Sequence, residues 1–420
     1  MQNTSLRTSS YPHARRGARL LLVALLGLLG VLAGCGSRTS PGAPANHPRL
    51  TPTPPPAQPT TPVALFSLQM IDATSGWASR GPLSILHTTT GPQHWQDVTP
   101  DFHTDAPTAA VNDFLDSQHA WVGLALLPGA DAPLHSFAIW RTSDGGQHWQ
   151  QTQLHARGYE IGSIFFLTAQ LGWLSVARIV GEKTDAVTAL DIFRTQDGGL
   201  TWTLISSAGD SQHASSGGLP MGVSGPLVFA SPTRGWVVGN TGILNRDGSR
   251  NPLRIYSTND GGLAWQSQEL PLPLPNALNG GPETFFSFHN GLDAIMPATL
   301  VASSSTFVLY VTHDGGATWN VSIPTSLDAN SCAHRCSFDF VDMQHGWFSG
   351  DRLYRTEDGG RDFRAFPLPE EARSEGFLQM DFVSPTLGWA ISVVRQTKQF
   401  LLLQTINGGQ SWTVLAPTVG

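Results

Sequence analysis

The sequence predicts an all-β protein, a seven-bladed β-propeller of four-stranded blades. Three observations carry that expectation. A turn of the form Thr-x-Asp-Gly-Gly-x-x-Trp recurs along the chain. An apolar residue followed seven positions later by Trp, usually as Gly-Trp, stands ahead of each turn. The stretch 63–420 divides into seven units of about fifty residues, the size of one blade.

The first 34 residues form an export leader, set aside before any fold reasoning. Arg15, Arg16 and Arg19 precede an apolar run over 20–33, which is short for a membrane span and suits a signal-peptide core. The stretch "RRGARLL" bears a weak likeness to a twin-arginine signal. The run ends in "LAGC" at 32–35, which resembles the bacterial lipobox. That resemblance implies lipidation of Cys35, a membrane attachment through the lipid anchor, and a place on the outer face of the cytoplasmic membrane. Gly36 follows, so no acidic inner-membrane retention signal is visible. Residues 35–62 are the lipidated Cys and a tether rich in Pro and Thr, which cannot bury a core and should be extended and solvated.

From 63 onward the units follow in order. The turn reads "RTSDGGQHW" at 141–149, "RTQDGGLTW" at 194–202, "STNDGGLAW" at 257–265 and "VTHDGGATW" at 311–319. It continues as "RTEDGGRDF" at 355–363 and "QTINGGQSW" at 404–412, and an eroded copy, "TTTGPQHW", ends at Trp95. The second slot holds Met70/Trp77, Phe114/Trp121, Phe166/Trp173, Phe229/Trp236, Phe340/Trp347 and Phe382/Trp389. The fifth copy reads as Phe288/Ile295 and has lost its Trp. Twelve of the thirteen Trp occupy these two slots, Trp140 being the exception, so Trp serves the repeat rather than one pocket. Each unit reads as four short strands rich in β-branched and aromatic residues and bounded by Gly, Asp, Asn and Pro. Four-stranded units repeated radially make a propeller.

The acidic residues Asp144, Asp197, Asp260, Asp314 and Asp358, with Asn407 in the last copy, could be metal ligands or turn formers. A hard cation wants six or more oxygens, and one acid per turn does not supply them. An Asp or Asn side chain closes a turn on backbone N–H groups, and the paired glycines accept positive φ. The turn reading is preferred, and no metal or cofactor is expected.

The turn matches the Asp-box, or BNR repeat. With the Phe…Gly-Trp half, the whole unit resembles the photosystem II assembly and stability factor family of cyanobacteria and chloroplasts. The resemblance covers nearly all of 63–420. It implies a seven-bladed lumenal propeller that binds photosystem II subunits or precursors through a basic surface and performs no chemistry. Asp-box propellers also occur in sialidases, other glycosidases and sorting receptors.

Spacing indicates which face does the work. The seven-residue gap and the acidic turn are fixed in length. The other two connections vary, from eleven (Trp347 to Asp358) to twenty-four residues (Trp236 to Asp260), and from seventeen (Trp149 to Phe166) to twenty-seven (Trp202 to Phe229). In an up-and-down blade the two fixed turns share one face and the two variable loops the other. Binding usually resides on variable loops of a rigid scaffold. The long ones are 207–225, 241–252, 271–284 and 325–337, and they should be separable from the scaffold. Candidate contacts on them are Arg246, Arg250, Asn279, Glu283, His334 and Arg335. Arg141, Arg194 and Arg355 share one repeat position; they either form a basic arc or pack their stems with their heads in water.

Cys332 and Cys336, an even pair in an exported chain, read first as a disulfide. The alternative is a metal bound by Cys332, His334 and Cys336, for which no fourth ligand is evident. A net charge of −7 gives no support to nucleic-acid binding. The expected state is a monomer with a protein partner. The rival function is a sialidase-like or other glycoside hydrolase. The sialidase Arg-Ile-Pro signature is absent, Tyr256, Tyr310 and Tyr354 look structural, and nothing pairs Glu160, Glu182 and Glu283 as two facing carboxyls. No Gly-x-Ser-x-Gly, His-Glu-x-x-His or Walker loop occurs. A third class is a cell-surface propeller that binds ligands unrelated to photosynthesis.

Overall fold

The computed structural model describes residues 60–102, 110–126, 135–181, 187–208, 218–223, 225–239, 254–273, 278–282, 286–287, 291–301, 305–324, 337–373 and 376–420. Seven sheets are present, each built on antiparallel strands consecutive in the chain, and the first also takes in the C-terminal strand. The third sheet is representative, with strands Glu160–Phe166, Gly172–Val180, Val187–Thr195 and Thr203–Ser207 in spatial order. The chain is a seven-bladed propeller of four-stranded blades. Among the described residues no helix is long and apolar enough to cross a membrane.

The first strand of each blade is innermost, because first strands of successive blades bond to one another. Asp113 accepts the Phe166 N–H, and Asp339 accepts the Phe382 N–H. Ser163 Oγ accepts the Leu227 N–H, and Gln69 Nε2 donates to the Phe114 carbonyl. These carboxylates stand immediately before the Phe of the repeat, as in Asp113-Phe114, Asp339-Phe340 and Asp381-Phe382. They are buried and spent on satisfying backbone donors.

The ring closes between blades seven and one. Gln379 Oε1 accepts from Leu68 N and its Nε2 donates to Leu68 O, while Asp381 accepts the Met70 N–H. A second closure lies at the rim. The C-terminal strand Thr418–Val419 pairs in parallel with His94–Asp97, the outer strand of blade one. Strand Thr61–Pro62 then covers it. The last two residues of the stretch read as tether are therefore part of the sheet.

Two sequence expectations are corrected. In blade five the ladder pairs Phe286 with Ile295 and Ser287 with Ala294. Other blades pair the Phe itself with the Gly before Trp, as Phe166 with Gly172. The blade-five turn holds one extra residue, so Ser287 takes the Phe slot by register; Phe288 lies outside the described residues. The loops 207–225 and 271–284 are not separable decoration. Leu219 and Val223 are buried in the apolar cluster of blades three and four, and strand Leu278–Pro282 belongs to blade five. Asn279 is thus a strand residue paired with Leu300 rather than part of a loop.

Candidate functional site

The repeated acidic turn is built the same way in each copy. The Thr hydroxyl donates to the acid two residues on, as Thr142 to Asp144 and Thr195 to Asp197 at 2.8 Å. It accepts the N–H of the second Gly, as Gly146 at 2.9 Å and Gly199 at 2.8 Å. The acid accepts the backbone N–H four residues ahead, from His148, Thr201, Ala264, Thr318 and Asp362. Asn407 does the same with Ser411. Both glycines sit at positive φ, 76° and 91° for Gly198 and Gly199, where a Cβ would be strained.

The first Gly N–H of each turn donates to the fixed turn between strands one and two of its own blade. Gly145 meets Gln118 O at 3.0 Å and Gly198 meets Gln170 O at 2.8 Å, and the eroded copy keeps this bond from Gly91 to Thr74 O at 2.7 Å. The two fixed turns therefore share a face, and the two variable connections share the other.

This bonding holds the carboxylates ionised. The His148 backbone N–H, ahead of the smaller contributions of its ring and Thr142, lowers the Asp144 pKa to about 2. The Thr318 hydroxyl and N–H do the same for Asp314, to about 2. At Asp197, burial opposes ionisation, but the Thr201 and Thr195 bonds overcome it and the value falls to about 2. A lowered folded pKa contributes stability that is full above 3.8 and lost as pH falls towards about 2. Asp197→Asn should keep the turn, as Asn407 does, and flatten acid unfolding in that window; pH titration of the unfolding midpoint reads it.

The Phe and Trp of one repeat do not pair with each other. Three of these Trp stack closely on the Phe of the next blade: Trp121 on Phe166, Trp173 on Phe229 and Trp347 on Phe382, all with centroids 3.6 Å apart. The same indoles donate to the first Gly carbonyl of that next blade's turn, at 2.8 Å (Gly198), 2.8 Å (Gly261) and 3.0 Å (Gly408). The Gly before each Trp leaves room for the Phe of its own blade; a Cβ on Gly172 would lie 2.5 Å from Phe166 Cδ1. Blade two has Ala120 there, and its Phe114 stacks on Trp77 at 5.1 Å instead.

The Arg position also joins blades. Arg141 Nη1 donates to the carbonyls of Asp197 and Gly198 in the next blade, at 3.0 and 3.3 Å. Arg194 lies against Gly261, and Arg355 against Gly408. Arg194 sits over the Trp173 ring and Arg355 over Trp347, 5.8 and 5.9 Å from the centroids. The Arg355 side chain is only 12% exposed. These heads are engaged by the turn of the next blade, and they form no free basic arc.

The variable face is different. Tyr159, Ile179 and Met221 are 39%, 56% and 47% exposed. They converge on Thr188, whose hydroxyl donates to the Tyr159 oxygen. Its backbone pairs with Ile179, and its carbonyl accepts Gly222 N, next to Met221, at 2.6 Å. Met221 is held out between the buried Leu219 and Val223. Tyr256, Tyr310 and Tyr354 lie in the third strands of blades four to six. Glu160 begins the inner strand of blade three. Cys35, Arg246, Arg250, Glu182, Glu283, Cys332, His334, Arg335 and Cys336 lie outside the described residues, as does the Asn279 side chain. Among the described residues no three His, Cys, Asp or Glu side chains group as a metal site.

No protein-family model matches the chain, and no curated protein matches it in sequence. Solved structures do match. YCF48 bound to a D1 peptide is 17% identical, covering 83% of this chain and 95% of its own, with a TM-score of 0.51. The GH74 xyloglucanase from Xanthomonas campestris is 12% identical, covering 86% of this chain and 55% of its own, with a TM-score of 0.52. At these identities both likenesses establish the propeller fold alone, and this chain spans 55% of the length of the glycoside hydrolase.

Proposed function

We propose that the chain is a non-catalytic propeller, tethered outside the cytoplasmic membrane by a lipid on Cys35, that binds a protein partner in the manner of photosystem II assembly and stability factors. The observation that carries the reading is the contrast between faces. The polar groups of the fixed turns are spent within the ring, and the apolar residues exposed on that face, such as Leu200, Leu263 and Ile406, stand singly on separate turns. The variable face exposes Tyr159, Ile179 and Met221 on segments that all adjoin Thr188. Rigidly held aromatic and Met side chains are what protein interfaces use as anchors. The similarity to YCF48 bound to a D1 peptide supports a peptide or protein ligand. The buried carboxylates Asp113, Asp339 and Asp381 accept backbone N–H groups, which leaves them unsuited to the facing pair a glycosidase needs.

The test uses the full-length lipidated chain in detergent. A D1 peptide and crosslinking in native membranes probe binding, and xyloglucan turnover probes the rival. Capture of photosystem II subunits, weakened at least tenfold by Tyr159→Ala with Met221→Ala while unfolding is unchanged, is the expected result. Turnover of xyloglucan without peptide binding overturns it. Cys35→Ala should release the protein from the membrane fraction, and retention there would exclude the lipid anchor.

A further inference from the structure

The joint between blades one and two uses an imidazole where three other joints use the guanidinium of Arg141, Arg194 or Arg355. His87 lies in the third strand of blade one, Leu86–Thr88, at the repeat position of Arg141, Arg194 and Arg355. It is 5% exposed and lies across the joint, where a Cβ on Gly145 of blade two would be 3.0 Å from its Cε1. Its ring is 4.3 Å from that of Trp77. One ring nitrogen donates to the Ser117 carbonyl of blade two. The other, Nε2, is buried and meets no hydrogen-bond partner among the described residues. A ring that donates from Nδ1 carries its lone pair on Nε2, so the basic atom faces a site with no acceptor for an added proton.

The charges on the surrounding elements are already engaged. Asp116, beside Ser117, accepts the N–H groups of Gln118 and His119 and pairs with the His119 ring. Asp144, beside Gly145, is held by Thr142, His148 N and the His148 ring. Asp97, next to the ladder partner Gln96, pairs with Arg80. Trp77 carries no charge.

We propose that His87 makes the joint between blades one and two acid-sensitive, protonation at Nε2 placing an unbalanced charge in the seam that is relieved by opening it to water. Burial of the ring, against the smaller effect of the Ser117 bond, holds its pKa below 6.5. A lowered His value means that the opened state takes up the proton first. Stability from the closed joint is therefore full above 6.5 and declines as pH falls below it. The acidic turns at Asp144, Asp197 and Asp314 stay ionised to about 2 and do not titrate in this window. His119, His148, His313 and His345 each sit beside a carboxylate, a partner that His87 Nε2 lacks among the described residues.

The experiment is hydrogen exchange on the full chain between pH 7.5 and 5, corrected for intrinsic rates, followed on peptides covering 77–98 and 114–146. Protection there should fall at least tenfold relative to blades three to six. His87→Arg, which supplies the guanidinium of those three joints, and His87→Gln should each remove the pH dependence, with circular dichroism at pH 7.5 confirming folding. Wild-type protection that does not change with pH overturns the proposal whatever the variants do. Equal pH dependence in a folded His87→Gln variant overturns it too.

Discussion

Replacement of Trp173 by Ala should destabilise the protein by about 3–5 kcal/mol, the range for large aromatic deletions in a packed core. Three contributions are lost together. The indole is fully buried, it stacks on Phe229 of the next blade at 3.6 Å, and its Nε1 donates to Gly261 O at 2.8 Å. Denaturant unfolding monitored by far-ultraviolet circular dichroism measures the loss. A paired substitution separates the hydrogen bond from the packing. Trp173→Phe keeps a ring but strips the Gly261 carbonyl of its donor, an expected cost of about 1–3 kcal/mol beyond lost area. Trp389 is equally buried, but its Nε1 has no partner among the described residues, because the next turn is the eroded copy in blade one. There Thr88 Oγ1 donates to Gly91 O, the carbonyl that corresponds to Gly261. Trp389→Phe should therefore cost less than Trp173→Phe. Equal losses would show that the inter-blade hydrogen bond contributes nothing.

Removal of residues 417–420 should be the second most damaging change. The joint between blades seven and one lacks the usual fittings: Met70 stands for Phe, Gln404 for Arg, and Thr90 and Pro92 replace the Asp and second Gly. The terminal strand supplies other bonds. Thr418 N donates to Gln93 O at 2.8 Å, Gly420 N to Trp95 O at 3.1 Å, and Val63 N to Pro417 O at 2.9 Å. At about 0.5–1.5 kcal/mol per hydrogen bond, with the buried Val419 lost as well, the truncation should cost about 3–5 kcal/mol. Limited proteolysis should then cut first within blades one and seven. Cleavage distributed evenly round the ring would mean that the terminal strand does not hold this joint.

Repetition made the fold readable. Seven recurrences of one turn and one spacing fix the blade count and the four strands, and the Thr-Asp-Gly-Gly bonding follows from residue types alone. What the spacing hid is direction. Distances along the chain pair Phe166 with Trp173, but in space Phe166 belongs to Trp121 and Trp173 to Phe229. The Arg heads were misjudged for the same reason, since their acceptors are supplied by the following repeat. A signal for the inner bonds was present and unused: an acid directly before the Phe at Asp113, Asp339 and Asp381. The slip at Phe288 arose because 285–288 offers three Phe, and counting alone could not see the extra turn residue. Leu219 and Val223 were hidden in a stretch of small and polar residues. Ile179 looked like any strand residue, although its side chain points out of the blade at the strand end. The candidate contacts Arg246, Arg250, Asn279, Glu283, His334 and Arg335 stand as proposals.

The forward grip of each blade on its successor has a consequence for synthesis. Six of the seven units emerge from the ribosome with an indole waiting for a neighbour, and the first unit waits for residues 417–420. The circle can be completed only once residues 417–420 have emerged, so its closure waits for the synthesis of all seven blades.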